Sequence, residues 1–352
     1  MPTSSLDVLY KRVAKKVLSE TLGLKKGESL TVETWNNGFD FATTVVAEAR
    51  AMGCPSIMLF EDEATYVDGV MRSPKDSLGL MGKHEYNLLA GTDGYVFIPG
   101  QALGAYSKTL SQVQRDDSTR YNDSWYDAAT KAKLRGARLS FGYIGKDLAK
   151  MLGMTIEEAV SGQLRAALTD FDAVSKSADF LSSSLSNGTS VTVDSGGASL
   201  RFTLKGDMEV QDGTVDEKDL AAGNNMAYVP PGQVYKEFDP ASVDGTVKVS
   251  PTLTKYGYLG RTELKFKDGK LVSWKSEDKA KLTKLLDPLP EARRRLVFMG
   301  IGMNPALKFG LAQDRFVRGA VTLGGLGFSA LVKGATVTAG SSKLVSRGVL
   351  EA

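Results

Sequence analysis

Short, nearly continuous apolar runs separated by stretches of helical periodicity fill the first part of the chain, and this alternation restricts the fold more than any other feature. Ser29 to Trp35, Ser56 to Phe60, Gly94 to Ile98 and Ala137 to Phe141 read as strands. Runs of this kind lack polar alternation because both faces are buried, which is the condition of a parallel sheet covered by helices. The segments between them supply those helices. Leu6, Leu9, Tyr10, Val13, Val17 and Leu18 recur at three- and four-residue spacing, with Gly23 placed to end the helix. Asp40 to Met52 is a second such stretch, stopped by Gly53, and Tyr66 to Arg72, Gly82 to Leu89 and Asp123 to Arg135 follow.

From Thr155 the pattern predicts one long helix reaching Leu181, because Thr155 and Glu158 have capping-box spacing and apolar residues continue at helical intervals. Beyond Ser186 the period becomes two: SVTV, a turn at Ser195 to Gly197, LRFTL, then TELKFK and KLVSW on either side of Asp268-Gly269. Alternation flanking Asp-Gly predicts a hairpin over Thr262 to Trp274. The expected organisation is an α/β domain with a parallel sheet over 1–185, followed by a β-rich α+β domain over 186–352.

Composition narrows the chemistry. Lysine plus arginine total 44 against 41 aspartate plus glutamate, a net charge of +3 that gives no electrostatic grip on nucleic acid or anionic lipid. No run of about 18 apolar residues predicts a membrane span, and Lys11, Arg12, Lys15 and Lys16 interrupt the apolar core that a signal peptide needs. Cys54 is the one cysteine, so no internal disulfide forms and a cytoplasmic address is expected. His84 is the one histidine, which excludes sites built on two or more imidazoles.

Each candidate site residue has a plain structural explanation. Glu61, Asp62 and Glu63 end a buried strand, where open α/β sheets place ligands, but an acidic turn is the simpler reading. His84 has no partner at helical spacing, and Cys54 fits a small buried residue better than a nucleophile. Gly324, Gly325 and Gly327 lack the spacing of a phosphate-binding loop. Arg293, Arg294 and Arg295 stand beside Glu291 and Asp287, as on a solvated helix face.

The order of segments over nearly the whole chain resembles the aminopeptidase T and aminopeptidase S family. The first half matches in texture, through LGLKKGESLTVET, RAMGCPSIMLFEDEATY and DGYVFIPG. The second half matches block by block, through SVTVDSGGASLRFTL, NNMAYVPPGQVY, VDGTVKV, LKFKDGKLVSW, LVFMGIGMNP, DRFVRGAVTLGGLG and LVKGATVTAGSSKLVSRG. The resemblance implies a two-domain cytoplasmic homodimer that removes amino-terminal residues with two metal ions.

The departures fall on the positions where the resemblance places metal ligands. A family glutamate is replaced by Gln233 in PPGQV, another by Phe298 before GIG, and a histidine by Thr322. The terminal histidine-x-aspartate pair falls on Gly327 and Ser329. A dinuclear site needs several anionic or imidazole ligands, so no metal and no other cofactor is expected. Glu237, Asp239, Asp244 and Asp314 flank the missing positions, leaving open a cation site built from oxygen ligands. The expectation is therefore a non-catalytic relative that binds a peptide or amino-acid-like ligand in the former active-site cleft, for instance as an accessory to a modifying enzyme. Gln233, Tyr235, Phe298, Thr322 and Ser329 would form its walls. An aminopeptidase with a rearranged metal site and a purely structural homo-oligomer remain the alternatives.

Overall fold

A computed structural model describes residues 5–74, 77–100 and 111–352. Its contacts divide into two compact units, the first made of 1–168 with 213–230 and the second of 169–212 with 231–352. The first unit is built on a parallel sheet of β1 (Leu30–Trp35), β2 (Ser56–Glu61), β3 (Gly94–Ile98) and β4 (Arg135–Leu139). After β5 (Ser190–Ser195) and β6 (Ala198–Gln211) of the second unit, β7 (Met226–Val229) returns to complete it, in the order β2-β1-β3-β4-β7.

One face of this sheet carries Val32, Val96, Ile98, Ala137 and Leu139 into a core with α1 (Ser5–Lys16), α2 (Phe39–Ala51) and the helix Ile156–Ala167. The expected first helix continues past Lys16 as a π-helical turn over Val17–Thr21, and Gly23 at φ +51° reverses the chain. Further helices are α3 (Glu63–Arg72), α4 (Lys83–Ala90) and Gln112–Lys131. The last of these starts eleven residues before the expected Asp123, because Ser111 and Gln114 form a capping box there. Among the described residues no helix is long and apolar enough to cross a membrane.

The single long helix expected from Thr155 is two helices. Thr155 and Glu158 do form a capping box, but the helix stops at Ala167 and Phe171–Ser184 starts afresh, with the Asp170 carboxylate accepting from the Asp172 N–H. The apolar period runs through the break because both helices bury a face, each in its own core. Ala159 and Leu164 join the first core, Val174, Ala178 and Leu181 the second. The crossing between units therefore lies at 168/169 where 185/186 was expected, and 213–230 belongs with the first unit because β7 pairs with β4.

In the second unit follow β8 (Gln233–Phe238), β9 (Asp244–Val249), β10 (Thr252–Thr254), β11 (Gly257–Leu259), β12 (Thr262–Lys267) and β13 (Lys270–Ser276). They are succeeded by β14 (Phe298–Gly302), β15 (Val321–Gly324), β16 (Ala330–Val332), β17 (Thr336–Ala339), β18 (Ser342–Ser346) and β19 (Val349–Leu350). An antiparallel sheet runs β16-β15-β14-β8-β6-β5-β17-β18-β19, with β9, β12 and β13 branching from β6. The β12–β13 hairpin forms as expected, its Asp268 and Gly269 at φ +48° and +74°, the left-handed pair that a two-residue turn requires. The whole is a mixed α/β fold with one parallel and one large antiparallel sheet.

Candidate functional site

The positions where metal ligands were expected lie on neighbouring strands of the second unit, because β8 pairs with β6 on one side and β14 on the other, and β14 pairs with β15. One register row reads Glu209, Tyr235, Gly300, Thr322. The next aligns Gln211, Gln233 and Gly302, and the one beyond Tyr235 pairs Glu237 with Phe298 and Phe298 with Gly324. Since alternate residues share a face, Gln233, Tyr235, Phe298 and Thr322 stand together on one side of the sheet.

The Gln233 amide, 3% exposed, donates to the Thr322 hydroxyl at 3.2 Å across Gly300. Only glycine permits this, since a Cβ at position 300 would stand 2.2 Å from Gln233 Nε2 and 2.6 Å from Thr322 Oγ1. Phe298 lies over Gly324 in the same way, and its ring centroid is 5.5 Å from that of Tyr235. The Tyr235 hydroxyl donates to Glu209, whose other carboxylate oxygen accepts from the Gln211 amide. The Gln211 Oε1 is buried and finds no hydrogen-bond partner among the described residues. Ser329 stands outside this network, just before β16, with its carbonyl accepting from the Thr252 hydroxyl at 3.1 Å.

Glu209 and Gln211 were not foreseen. The signal present in the sequence was the alternation of LRFTL, but β6 shifts register between Leu204 and Met208, where Gly206 takes φ +108°. Leu204 pairs with Phe238 and Met208 with Lys236, so the irregularity keeps the face of each later residue but shifts its partner on β8, and alternation alone does not give that partner.

The residues present do not fit two metal ions. An amide, a hydroxyl and a phenyl ring occupy the positions where the family resemblance led carboxylates and an imidazole to be expected, and Glu209 is already held by Tyr235 and Gln211. The flanking acids point to separate tasks. Glu237 accepts from the Asp207 N–H at 3.2 Å, Asp239 caps the turn at Pro240–Ser242, and Asp244 is exposed on β9. Asp314 accepts from the Gly310 N–H, and burial pushes its carboxyl up. Among the described residues no three of His, Cys, Asp and Glu come together in a group suited to a metal ion.

In the first unit Asp62 caps α3, accepting from the Thr65 N–H at 2.9 Å and from the Asn36 amide at 2.8 Å. The Asn36 hydrogen bond, with those from Thr65, holds the Asp62 carboxyl below its ordinary range. His84 is exposed on α4. Cys54 is buried with its thiol donating to the Lys25 carbonyl at 3.2 Å, and burial pushes that thiol up, away from nucleophilic use. Arg294 donates to the Leu289 carbonyl at 3.2 Å beside a short turn at Glu291–Arg293.

No protein-family model and no curated protein matches the sequence. Among solved structures, wild-type AmpT from Thermus thermophilus is similar, with a TM-score of 0.65 at 16% identity. The similarity covers 99% of this chain and 100% of that one, so it concerns the fold as a whole. At this identity it establishes shared architecture and leaves activity to the residues of the site.

Proposed function

We propose that this protein binds a peptide or amino-acid-like ligand on the sheet face carrying Gln233, Tyr235, Phe298 and Thr322, and does not hydrolyse it. The observation that carries this reading is the buried amide-to-hydroxyl hydrogen bond between Gln233 and Thr322. Both groups are neutral, and neither supplies the charge that holds a divalent cation or lowers the pKa of a bound water. The same face keeps features that suit a peptide. Phe298 and Tyr235 offer aromatic area for a side chain. The full-length similarity to AmpT supports the descent of this face from a peptidase fold.

The test combines elemental analysis with ligand binding. After dialysis against zinc, manganese, cobalt and iron, the protein is expected to retain less than about 0.1 equivalent of any metal. Short peptides are expected to raise its Tm to the same extent with and without chelator, by mass action on the folded state, and to be recovered intact. Retention of one or two equivalents together with chelator-sensitive release of amino acids would establish an aminopeptidase with a rearranged site instead.

A further inference from the structure

The strand β2 is one edge of the parallel sheet of the first unit, yet its composition is that of an interior strand. Among the described residues it pairs with β1 alone, in register from Ser56 to Glu61. The interior strands β1 and β3 each bury all but one of their residues. In β2 no residue is buried, although Ile57 to Phe60 are four apolar residues in succession. Ile57 is 47% and Phe60 50% exposed. Phe39, 42% exposed at the start of α2, meets Phe60 edge-on with 5.8 Å between ring centroids.

The backbone at this edge is equally open. The Leu30 N–H donates to the Pro55 carbonyl at 2.9 Å, so Pro55, Ile57 and Leu59 direct their backbone polar groups toward β1. Ser56, Met58 and Phe60, which alternate with them, direct theirs outward. The Ser56 carbonyl accepts from the Arg50 guanidinium at 3.1 Å, which occupies one end of the row. Met58 and Phe60 keep their N–H and C=O groups unpaired by any described backbone group. Exposed edges are ordinarily blunted by lysine, proline, a bulge or a covering segment. Within β2 there is no lysine or proline, and its register with β1 is unbroken.

Charge is distributed unevenly along the same edge. Arg50 stands at its amino end, with the exposed Lys26 against Gly53, and Glu61, Asp62 and Glu63 follow one another at its carboxyl end. Two such strands running antiparallel set the basic end of each beside the acidic end of the other, whereas parallel pairing sets like beside like. A two-fold axis normal to the sheet, passing between the two Leu59 residues, pairs Met58 of each copy with Phe60 of the other. Every outward N–H and C=O of Met58 and Phe60 is then used. The Ser56 carbonyl stays with Arg50, and that guanidinium comes beside Asp62 of the second copy.

We infer that the β2 edge is a self-association surface, on which a second copy of this chain pairs its own β2 antiparallel and makes the two parallel sheets continuous. Pairing covers Ile57, Phe60 and Phe39 together with the open backbone groups. One short strand limits the area buried, so the dimer exchanges reversibly with monomer. The surface is independent of the peptide-binding face on the second unit.

Sedimentation velocity on the full-length protein from about 1 μM to about 200 μM is expected to show a monomer–dimer equilibrium that weakens as salt rises. Phe60→Lys and Ile57→Lys each place a charge on the edge and leave the backbone ladder with β1 intact. Both are expected to keep the parent Tm at low concentration and to weaken dimerisation by about tenfold or more. Hydrogen exchange adds a local readout: the Met58 and Phe60 amides should slow as concentration rises in the parent and stay fast in both variants. A monomer at the highest concentration would overturn the assignment. So would a dimer unchanged in both folded lysine variants, which puts the interface elsewhere. Protection of the Met58 and Phe60 amides in a monomer, appearing only when an extended peptide is added, would make the edge a docking strand for other chains and refute self-pairing.

Discussion

At Gln233 and Thr322 the side chains are smaller in charge than in bulk: they fill the sheet face without supplying an anion or an imidazole. Restoring one of them leaves the rest of the row unchanged. Gln233→Glu alone, or Thr322→His alone, is therefore expected to retain less than about 0.1 equivalent of zinc after dialysis, and stoichiometric zinc in either variant would refute the account of a dismantled site. A second residue-scale prediction concerns Gly300. Gly300→Ala forces its methyl group between Gln233 and Thr322, so denaturant unfolding should show a loss of about 1 to 3 kcal/mol, typical of overpacking. An unchanged midpoint would mean that the amide and hydroxyl are free to part. Much at this scale was legible in the sequence. Cys54 is buried and the Asp268-Gly269 turn closes its hairpin, each from local chemistry alone. Glu209 was not legible, because its pairing with Tyr235 depends on a register shift in β6 that two-residue alternation does not announce.

At the scale of single elements the sequence is informative where an element's signal is local and silent where two elements share one period. Thr155 with Glu158 marked a helix start correctly, while Asp170, an equally good cap, was hidden by apolar spacing that continued from Leu164 to Val174. Asp170→Ala should cost about 1 kcal/mol, the usual worth of a side-chain N-cap, measurable as a lower urea midpoint with unchanged slope. The strand β1 offers a pH test. Burial raises the folded-state pKa of Glu33 above its unfolded value, so between those two values the folded protein binds the extra proton and stability falls as pH rises. Glu33→Gln removes that contribution. Its Tm relative to the parent should rise as pH climbs above the ordinary carboxylate range, and parallel Tm curves there would show that Glu33 is not a strained acid.

Over the whole molecule, the change from apolar runs with helices to two-residue alternation correctly announced a parallel sheet followed by a larger antiparallel one. What it did not disclose was the return of 213–230 to the first unit. MAYV is a short apolar strand in a β-rich stretch, and nothing within it states which sheet it joins. The pairing is decided by distant residues: β7 aligns Met226 to Val229 with Gly136 to Leu139, the Gly136 N–H donates to the Asn225 carbonyl at 2.7 Å, and the Val215 N–H donates to the Thr21 carbonyl at 3.1 Å. A chain cut after Leu168 therefore loses an edge strand of its own sheet and exposes the β4 edge, including its buried Ala137 and Leu139. Fragment 1–168 is expected to melt with a broad transition and to bind a hydrophobic dye, and a synthetic peptide of 213–230 should sharpen the melt by restoring the fifth strand. If the fragment alone melts as sharply as the full chain, the crossing at 213–230 adds little to the first unit, and the simpler division into two consecutive segments would describe the energetics better.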